Sequence, residues 1–372
     1  MQSNQLEKIV TPLLAWYHES SRSLPWRENK DPYRIWVSEI MLQQTRVEAV
    51  IPYFTRFIER CPDIASLAAC EDEELLKLWE GLGYYSRARN LKKAAQTICE
   101  VHQGRFPEEY DEILKLPGIG AYTAGAISSI AFEKATPAVD GNVLRVITRL
   151  TENNQDIMET KFRKQMTMEL EKIYPPKERG DFTQSLMELG AVVCVPNGAP
   201  KCEECPVNSL CSAYRNHTQL QYPVKKKKAV RRVEEKTILF LKHQNKIALC
   251  RRDKKGILSG MWEFPNMDGT MTEAQIAEWL AAKRFTVTEL NKPAHEKNQL
   301  KHIFTHIEWH MTYWIAECEA VEQSDSFTWV TQEQLESETA LPTAFKKVYE
   351  TALKESDILF TMENAACSEE IL

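Results

Sequence analysis

Four of the ten cysteines, Cys194, Cys202, Cys205 and Cys211, fall within eighteen residues, separated by seven, two and five. Thiolates crowded in this way ask for a metal. Four of them complete either a tetrahedral zinc site or an iron–sulfur cube, and spacing alone does not choose between the two. The remaining cysteines are scattered and read as buried small hydrophobes. Two carboxylates point to a different chemistry. Glu39, in WVSEIMLQQTR, shares a helical face with Trp36 and Gln43, beside Ile40. A carboxyl on a largely apolar face is a candidate for a raised pKa, hence for a general acid near neutral pH. Its plain alternative is a side chain at the margin of that face, reaching water. Asp140, in PAVDGNVLRV, stands directly before an apolar-periodic segment, which is also where an ordinary helix N-cap stands. As a pair the two supply what glycosidic cleavage requires: an acid for the leaving group and a carboxylate for the oxocarbenium-like centre.

The elements that must position these residues can be read from periodicity. Residues 1 to about 222 are predicted to be almost all helix, with Trp36, Ile40, Val47, Val50 and Ile51 at helical spacing, then Leu75, Leu78 and Leu82, then Val143, Val146, Ile147 and Leu150. Within this half, LPGIGAYTAGA (116–126) places Pro117, Gly118 and Gly120 in a tight turn opening a helix near Tyr122. Glycine lets backbone N–H groups approach a phosphate, and a helix N-terminus favours an anion there, so such a turn can hold DNA without reading sequence. A lone turn of this kind would be a plain helix–helix connection; here it precedes both Asp140 and the cysteine cluster. PVKKKKAVRR (223–232) reads as a linker with a solvated charge run. Beyond it the pattern becomes α+β. KTILFLKHQNKIALCRR reads as two strands about a Gln244-Asn245 turn, HIFTHIEWHMTYWIAE alternates like one long strand, and helices are expected near 272–283 and 343–354. The last dozen residues read as a frayed tail.

At 372 residues, two domains are the natural expectation. The apolar share of 43% with 27% charged residues is ordinary for a globular protein, and the net charge of −6, with neither half basic, confines any nucleic-acid surface to a local patch. No apolar run reaches the eighteen or so residues of a membrane span, and the N-terminus carries no basic stretch leading into an apolar one. The expectation is a cytoplasmic, nucleoid-associated monomer without membrane contact.

Taken together, LPWR (24–27), WVSEIMLQQTR (36–46), GLGYYSRARN (81–90), LPGIGAYTAGA, PAVDGNVLRV and the four cysteines resemble the helix-hairpin-helix DNA glycosylases, and within them the MutY-type adenine glycosylases. The resemblance covers nearly the whole chain. It implies an all-α glycosylase core at 1–222, made of a six-helix barrel at about 30–135 and a cluster subdomain built from the N-terminal helix plus about 136–222. It further implies a linker at 223–232, a Nudix-like α+β recognition domain at 233–360 and a tail at 361–372. It favours a [4Fe–4S] cluster on Cys194, Cys202, Cys205 and Cys211 over zinc. The implied substrate is adenine opposite 8-oxoguanine, and more weakly opposite guanine, in double-stranded DNA.

By the same resemblance, Glu39 protonates the flipped adenine, Asp140 stabilises or captures the sugar cation, and Asn142 is positioned beside it. Trp26, Arg27 and Gln184 match positions lining the adenine pocket. Gln44, Thr45, Leu82 and Tyr84 match residues that wedge into the stack and touch the opposing base, while Gly118 and Gly120 hold the backbone. Tyr122 stands where the lyase-type relatives carry a Schiff-base lysine, which implies a monofunctional enzyme whose tyrosine hydroxyl supports Asp140. The family's Phe-Ser-His loop, which inspects 8-oxoguanine, corresponds here to Phe304-Thr305-His306. The family has six residues between the first two cysteines, and this chain has seven, VPNGAPK. Three other readings compete: an endonuclease III-like lyase, a hydrolase of free oxidised nucleotides, and a non-catalytic DNA-binding protein. The helix TEAQIAEWLAAKR lacks the glutamate set of a working Nudix hydrolase, which argues for recognition alone in the C-terminal domain.

Overall fold

A computed structural model describes residues 6–226, 230–293, 299–320 and 326–355. The proposed tail therefore lies outside the described residues, as do three residues of the linker. The chain forms two compact units: residues 1–70 with 86–228, and residues 71–85 with 229–372.

The first unit is helical. It contains α1 (Val10–Ser20), α2 (Pro32–Leu42), α3 (Val47–Arg60) and α4 (Ile64–Ala69). After α5 (Asp72–Leu78), which belongs to the second unit, follow α6 (Ser86–His102), α7 (Tyr110–Lys115), α8 (Ala121–Phe132), α9 (Gly141–Thr151), α10 (Thr160–Glu171), α11 (Arg179–Val192) and α12 (Ser212–Arg215). Local chemistry sets the starts. Asp31 caps α2 by accepting from the Tyr33 N–H, with Pro32 at the first helical position, and Asp63 with Ser66 forms a capping box on α4. Between Tyr122 and Phe132, α8 is built from Ala, Gly, Ser, Thr and Ile, and residues Thr123–Ile130 are all buried, as expected of a helix without a charged face. Gly125 is what permits this central placement: a β-carbon there would lie 2.4 Å from the Pro137 carbonyl oxygen. A further core joins Leu6, Ile9 and Leu13 to Val143 and Ile147 of α9, Phe162 of α10 and Leu186 of α11, so the chain's start packs with its residues 139–193. Each such side chain contributes roughly 1.5–3 kcal/mol when fully buried.

The second unit is a mixed sheet between helices. β1 (Arg232–His243), β2 (Lys246–Arg251), β3 (Trp262–Glu263), β4 (Asn266–Asp268), α13 (Glu273–Ala282), β5 (Thr286–Asn291), β6 (Gln299–Ile303), β7 (Ile307–Ala320), β8 (Thr328–Thr331) and α14 (Gln332–Ser337) follow in order, then α15 over 343–355. The sheet runs β3-β2-β1-β7-β5, with β4 on β1, β6 on β7 and β8 on β2. β1 and β7 are parallel and the other pairs antiparallel. Period-two alternation splits the central strands between two cores. Ile238, Phe240, Met311 and Tyr313 face one that includes Phe345 and Val348 of α15; Leu239, Leu241, Trp314 and Ala316 face another with Ile276 and Leu280 of α13.

Two expectations are corrected here. The stretch 302–317 is not one strand but the β6–β7 hairpin, closed by Phe304 N–H donating to the Ile307 carbonyl at 2.8 Å. Alternation continues through both arms, and Thr305-His306 is not one of the glycine-rich pairs that mark a two-residue reversal, so the pattern concealed the turn. Residues 71–85 also group with the second unit rather than the helical one. There Glu73 ion-pairs with Arg251 and accepts from Trp262 Nε1 at 3.3 Å, and Lys77 Nζ donates to the Thr339 carbonyl at 3.0 Å. No helix among the described residues is long and apolar enough to cross a membrane.

Candidate active site

Glu39 lies on α2 and is only 6% exposed, so its carboxyl is inside rather than at the water margin. Tyr122, in the first turn of α8, donates its hydroxyl to Glu39 Oε2 at 2.6 Å. Burial pushes the Glu39 pKa up, Tyr122's hydrogen bond opposes this, and the negative charge of nearby Asp140 adds to the rise, leaving it at about 7. Asp140 takes up the capping role that its place before the periodic segment offers. It is the N-cap of α9, its Oδ1 accepting from the Asn142 and Val143 N–H groups at 2.8 Å each, while Oδ2 accepts from Asn142 Nδ2 at 2.8 Å. Burial raises its pKa, and these hydrogen bonds oppose the rise. The expected partnership of Tyr122 with Asp140 is therefore corrected: the hydroxyl bonds to Glu39, because the first turn of α8 packs on α2.

Asn142 is held in turn. Arg145 Nη2 donates to Asn142 Oδ1 at 2.8 Å and to the Gly190 carbonyl at 2.6 Å, and its Nε donates to the Cys194 carbonyl at 2.8 Å. The aspartate is thus tied through Asn142 and Arg145 to the backbone where the cysteine segment begins.

Trp26, Arg27 and Gln184 line a single cleft of ≈ 400 Å³ that also meets Arg22, Ile130 and Asp181. Sequence reasoning missed the residue that organises it. Glu188, one turn after Gln184 on α11 and 1% exposed, accepts from Arg22 Nε at 2.6 Å and Nη2 at 3.0 Å, and from Arg27 Nη2 at 2.8 Å. Burial pushes its pKa up, but the hydrogen bonds and charges of the two arginines outweigh that and hold it at about 2. The signal was the i, i+4 spacing of Gln184 and Glu188, which puts both on one face. Removing the carboxylate takes the counter-charge from Arg27 and leaves Arg22 only the longer, 3.8 Å approach of the exposed Glu48. Glu188→Ala is expected to cost about 3 kcal/mol in a urea melt, and Glu188→Gln distinctly less. Because the folded pKa lies below the ordinary glutamate value, this stabilisation is present above the ordinary value and is lost as pH falls toward about 2.

The residues expected to meet DNA divide between the units. In the first, Gly118 has φ +77°, and a β-carbon there would lie 2.6 Å from Asn90 Cβ, so only glycine fits. Gly120 is the N-cap of α8 without a side-chain cap, so the first N–H groups of that helix have no partner within it or from its cap residue. Gln44 is exposed in a left-handed conformation, φ +59°, with Thr45 half-buried beside it. In the second unit, Thr305 and His306 are exposed at the β6–β7 tip, and the Tyr84 hydroxyl is 3.0 Å from Thr305 Oγ1. Tyr84 is 45% exposed, whereas Leu82 is buried at 7%.

Cys194, Cys202, Cys205 and Cys211 line one cavity. The additional residue between the first two is absorbed in a loop closed by Lys201 N–H donating to the Val193 carbonyl at 3.0 Å, with Gly198 left-handed at φ +74°. Arg149 Nη1 donates to Cys194 Sγ at 3.2 Å, and Gln219 Nε2 lies 3.8 Å from Cys202 Sγ.

Residues 37–176 match the HhH-GPD superfamily of base excision DNA repair proteins, and residues 237–351 match the NUDIX domain. The first span contains both carboxylates and the hairpin, the second the mixed sheet. Fold and site together define a helix-hairpin-helix base-excision repair protein carrying a Nudix-like domain. The adenine DNA glycosylase of Buchnera aphidicola subsp. Schizaphis graminum is 37% identical over 300 residues, covering 80% of this chain and 84% of its own. That of Mus musculus is 34% identical over 403 residues, covering 91% of this chain and 76% of its own. The chain belongs to the adenine DNA glycosylase family. Among solved structures it is similar to a thermostable thymine-DNA glycosylase, with a TM-score of 0.53 and 31% identity over 58% of this chain and 100% of that one. It shares its fold with endonuclease III in a non-covalent DNA complex, at TM-score 0.51 and 24% identity over 59% of this chain and 99% of the other.

Proposed function

We propose that this chain hydrolyses the N-glycosidic bond of adenine mispaired with 8-oxoguanine, and more weakly with guanine, in double-stranded DNA, without a lyase step. The observation that carries the reading is the buried Glu39–Tyr122 pair, with Glu39 at a pKa of about 7 and Asp140 close enough for its charge to be felt. Flipping the adenine out of the stack costs a few kcal/mol, less at a mismatch. Glu39 in its acid form then protonates the adenine ring, which departs with the bonding electrons. The sugar cation left behind is stabilised or captured by Asp140, whose orientation Asn142 and Arg145 maintain, and water completes the hydrolysis. With Tyr122 in place of an amine, no Schiff base forms. Trp26, Arg27 and Gln184 receive the base, and Glu188 holds Arg27 in position.

For the opposing base, Tyr84, Thr305 and His306 are the contacts we assign, supported by their exposure and by the 3.0 Å approach of the Tyr84 and Thr305 hydroxyls. Gln44, Thr45 and Leu82 complete the assigned wedge, and the Gly118–Gly120 hairpin holds a phosphate.

The four cysteines line one cavity, a donor set of four thiols that fits an iron–sulfur cluster, and the resemblance to the iron–sulfur glycosylases favours that cluster over zinc. Such a cluster would supply cohesion to a segment otherwise built of short turns, with Arg149 and Gln219 donating toward its thiolates. Purified protein is expected to be brown, with Cys202→Ser bleached; a colourless, zinc-containing wild type would refute the assignment.

The deciding experiment is single-turnover strand scission on duplexes with A opposite 8-oxoguanine, A opposite G, A opposite T, and thymine glycol opposite A, each with and without alkali. We expect cleavage of the adenine strand opposite 8-oxoguanine, weaker opposite G, and only after alkali. Thymine glycol cleavage without alkali would assign the chain to the lyases instead. His306→Ala should narrow the preference for 8-oxoguanine over guanine, and an unchanged ratio would remove the hairpin tip from recognition.

A further inference from the structure

Arg87, in the first turn of α6, is buried with 8% exposure. Its Nη1 donates to the carbonyls of Ile40 at 2.7 Å, Met41 at 3.1 Å and Gln43 at 2.7 Å. Ile40 and Met41 are among the last four residues of α2, whose carbonyls have no partner within the helix, and Gln43 is its C-cap. A buried cation there meets the negative end of the helix dipole. No glycine eases the chain out of this helix. Gln44 instead takes the left-handed conformation with a side chain present, so the turn depends on outside support. One helical turn further along α6, Asn90 lies against Gly118 of the hairpin. Trp36, Ile40, Gln43, Arg87, Asn90 and Gly118 line one cleft. The start of α6 therefore meets both the end of α2 and the hairpin.

We propose that Arg87 is a positioning residue: it pins the C-terminal end of α2, and with it the Glu39 carboxyl and the Gln44 turn, in register with the Gly118–Gly120 hairpin. The inference rests on the reading of Glu39 as the general acid. The guanidinium touches neither base nor sugar; it acts through the carbonyls beginning one residue after Glu39. Without it those carbonyls must find water, the end of α2 opens, and the seclusion of Glu39 is lost. Since burial is the largest cause of the raised Glu39 pKa, wetting lowers that pKa toward the ordinary range.

The test uses full-length protein and a duplex with adenine opposite 8-oxoguanine. Single-turnover rate constants are measured against pH for wild type, Arg87→Met, Arg87→Lys and Glu39→Gln, with active sites titrated by the burst. Arg87→Met is expected to lose roughly 10²-fold in rate per titrated site, the scale of a misplacement near 1 Å. Its alkaline limb should also move to lower pH. Arg87→Lys, which keeps the charge and one short donor group, should fall between; if the methionine variant does not fold, the lysine variant's limb decides. A role in stability alone would lower the titrated fraction and leave both rate constant and limb as in wild type, and that result overturns the proposal. Wild-type activity in Glu39→Gln would instead sink the reading of Glu39, and the proposal with it. An inactive Glu39→Gln beside unaltered Arg87 variants sinks the proposal alone.

Discussion

Asp140→Asn is expected to bind a duplex carrying adenine opposite 8-oxoguanine as wild type does, and to lose excision by on the order of 10³-fold. The substitution separates the two roles of this side chain. Asparagine is as good an N-cap as aspartate, so α9 keeps its start and the bonds from the Asn142 and Val143 N–H groups. What disappears is the bond that Oδ2 accepts from Asn142 Nδ2 and, above all, the negative charge, and with it the stabilisation of a cation that exists only as the glycosidic bond breaks. The measurement is a gel-shift titration beside a single-turnover assay on the same duplex. Excision at the wild-type rate would show that the cap was all Asp140 supplied.

Glu39→Gln comes next in size, with an expected loss of 10² to 10⁴-fold, the usual contribution of a general acid. Glutamine can still accept from Tyr122, so the buried contact persists while the proton is gone. The wild-type pH profile carries the same information. A pKa raised to about 7 keeps the carboxyl protonated into the neutral range, so the rate should be level below that value and fall about tenfold per pH unit above it. Glu39→Gln should flatten this limb. A wild-type limb that stays level well above neutrality would assign the proton to another group.

The residues themselves already determined much of this protein. The spacing of Cys194, Cys202, Cys205 and Cys211, the apolar face beneath Glu39, and Asp140 at the head of a periodic segment are local facts of types and intervals. So is the change from a helical period to a period of two near residue 232. What the tertiary structure alone decided is partnership. Tyr122 stands 83 residues from Glu39, and no interval indicated that its hydroxyl would turn to that carboxylate instead of Asp140. Glu188 looked like one more helical glutamate until Arg22 and Arg27, more than 160 residues earlier, closed on it. The β6–β7 turn was hidden by alternation continuing on both sides of it, and residues 71–85 carry no mark of grouping with residues that begin at 229. The physical reason is common to all four cases. Periodicity records which face of an element seeks apolar surroundings, a property of neighbours along the chain. A pKa, an ion pair or a strand reversal depends on what the rest of the chain brings to that face, because desolvation and Coulomb energy are set by atoms close in space, not in sequence.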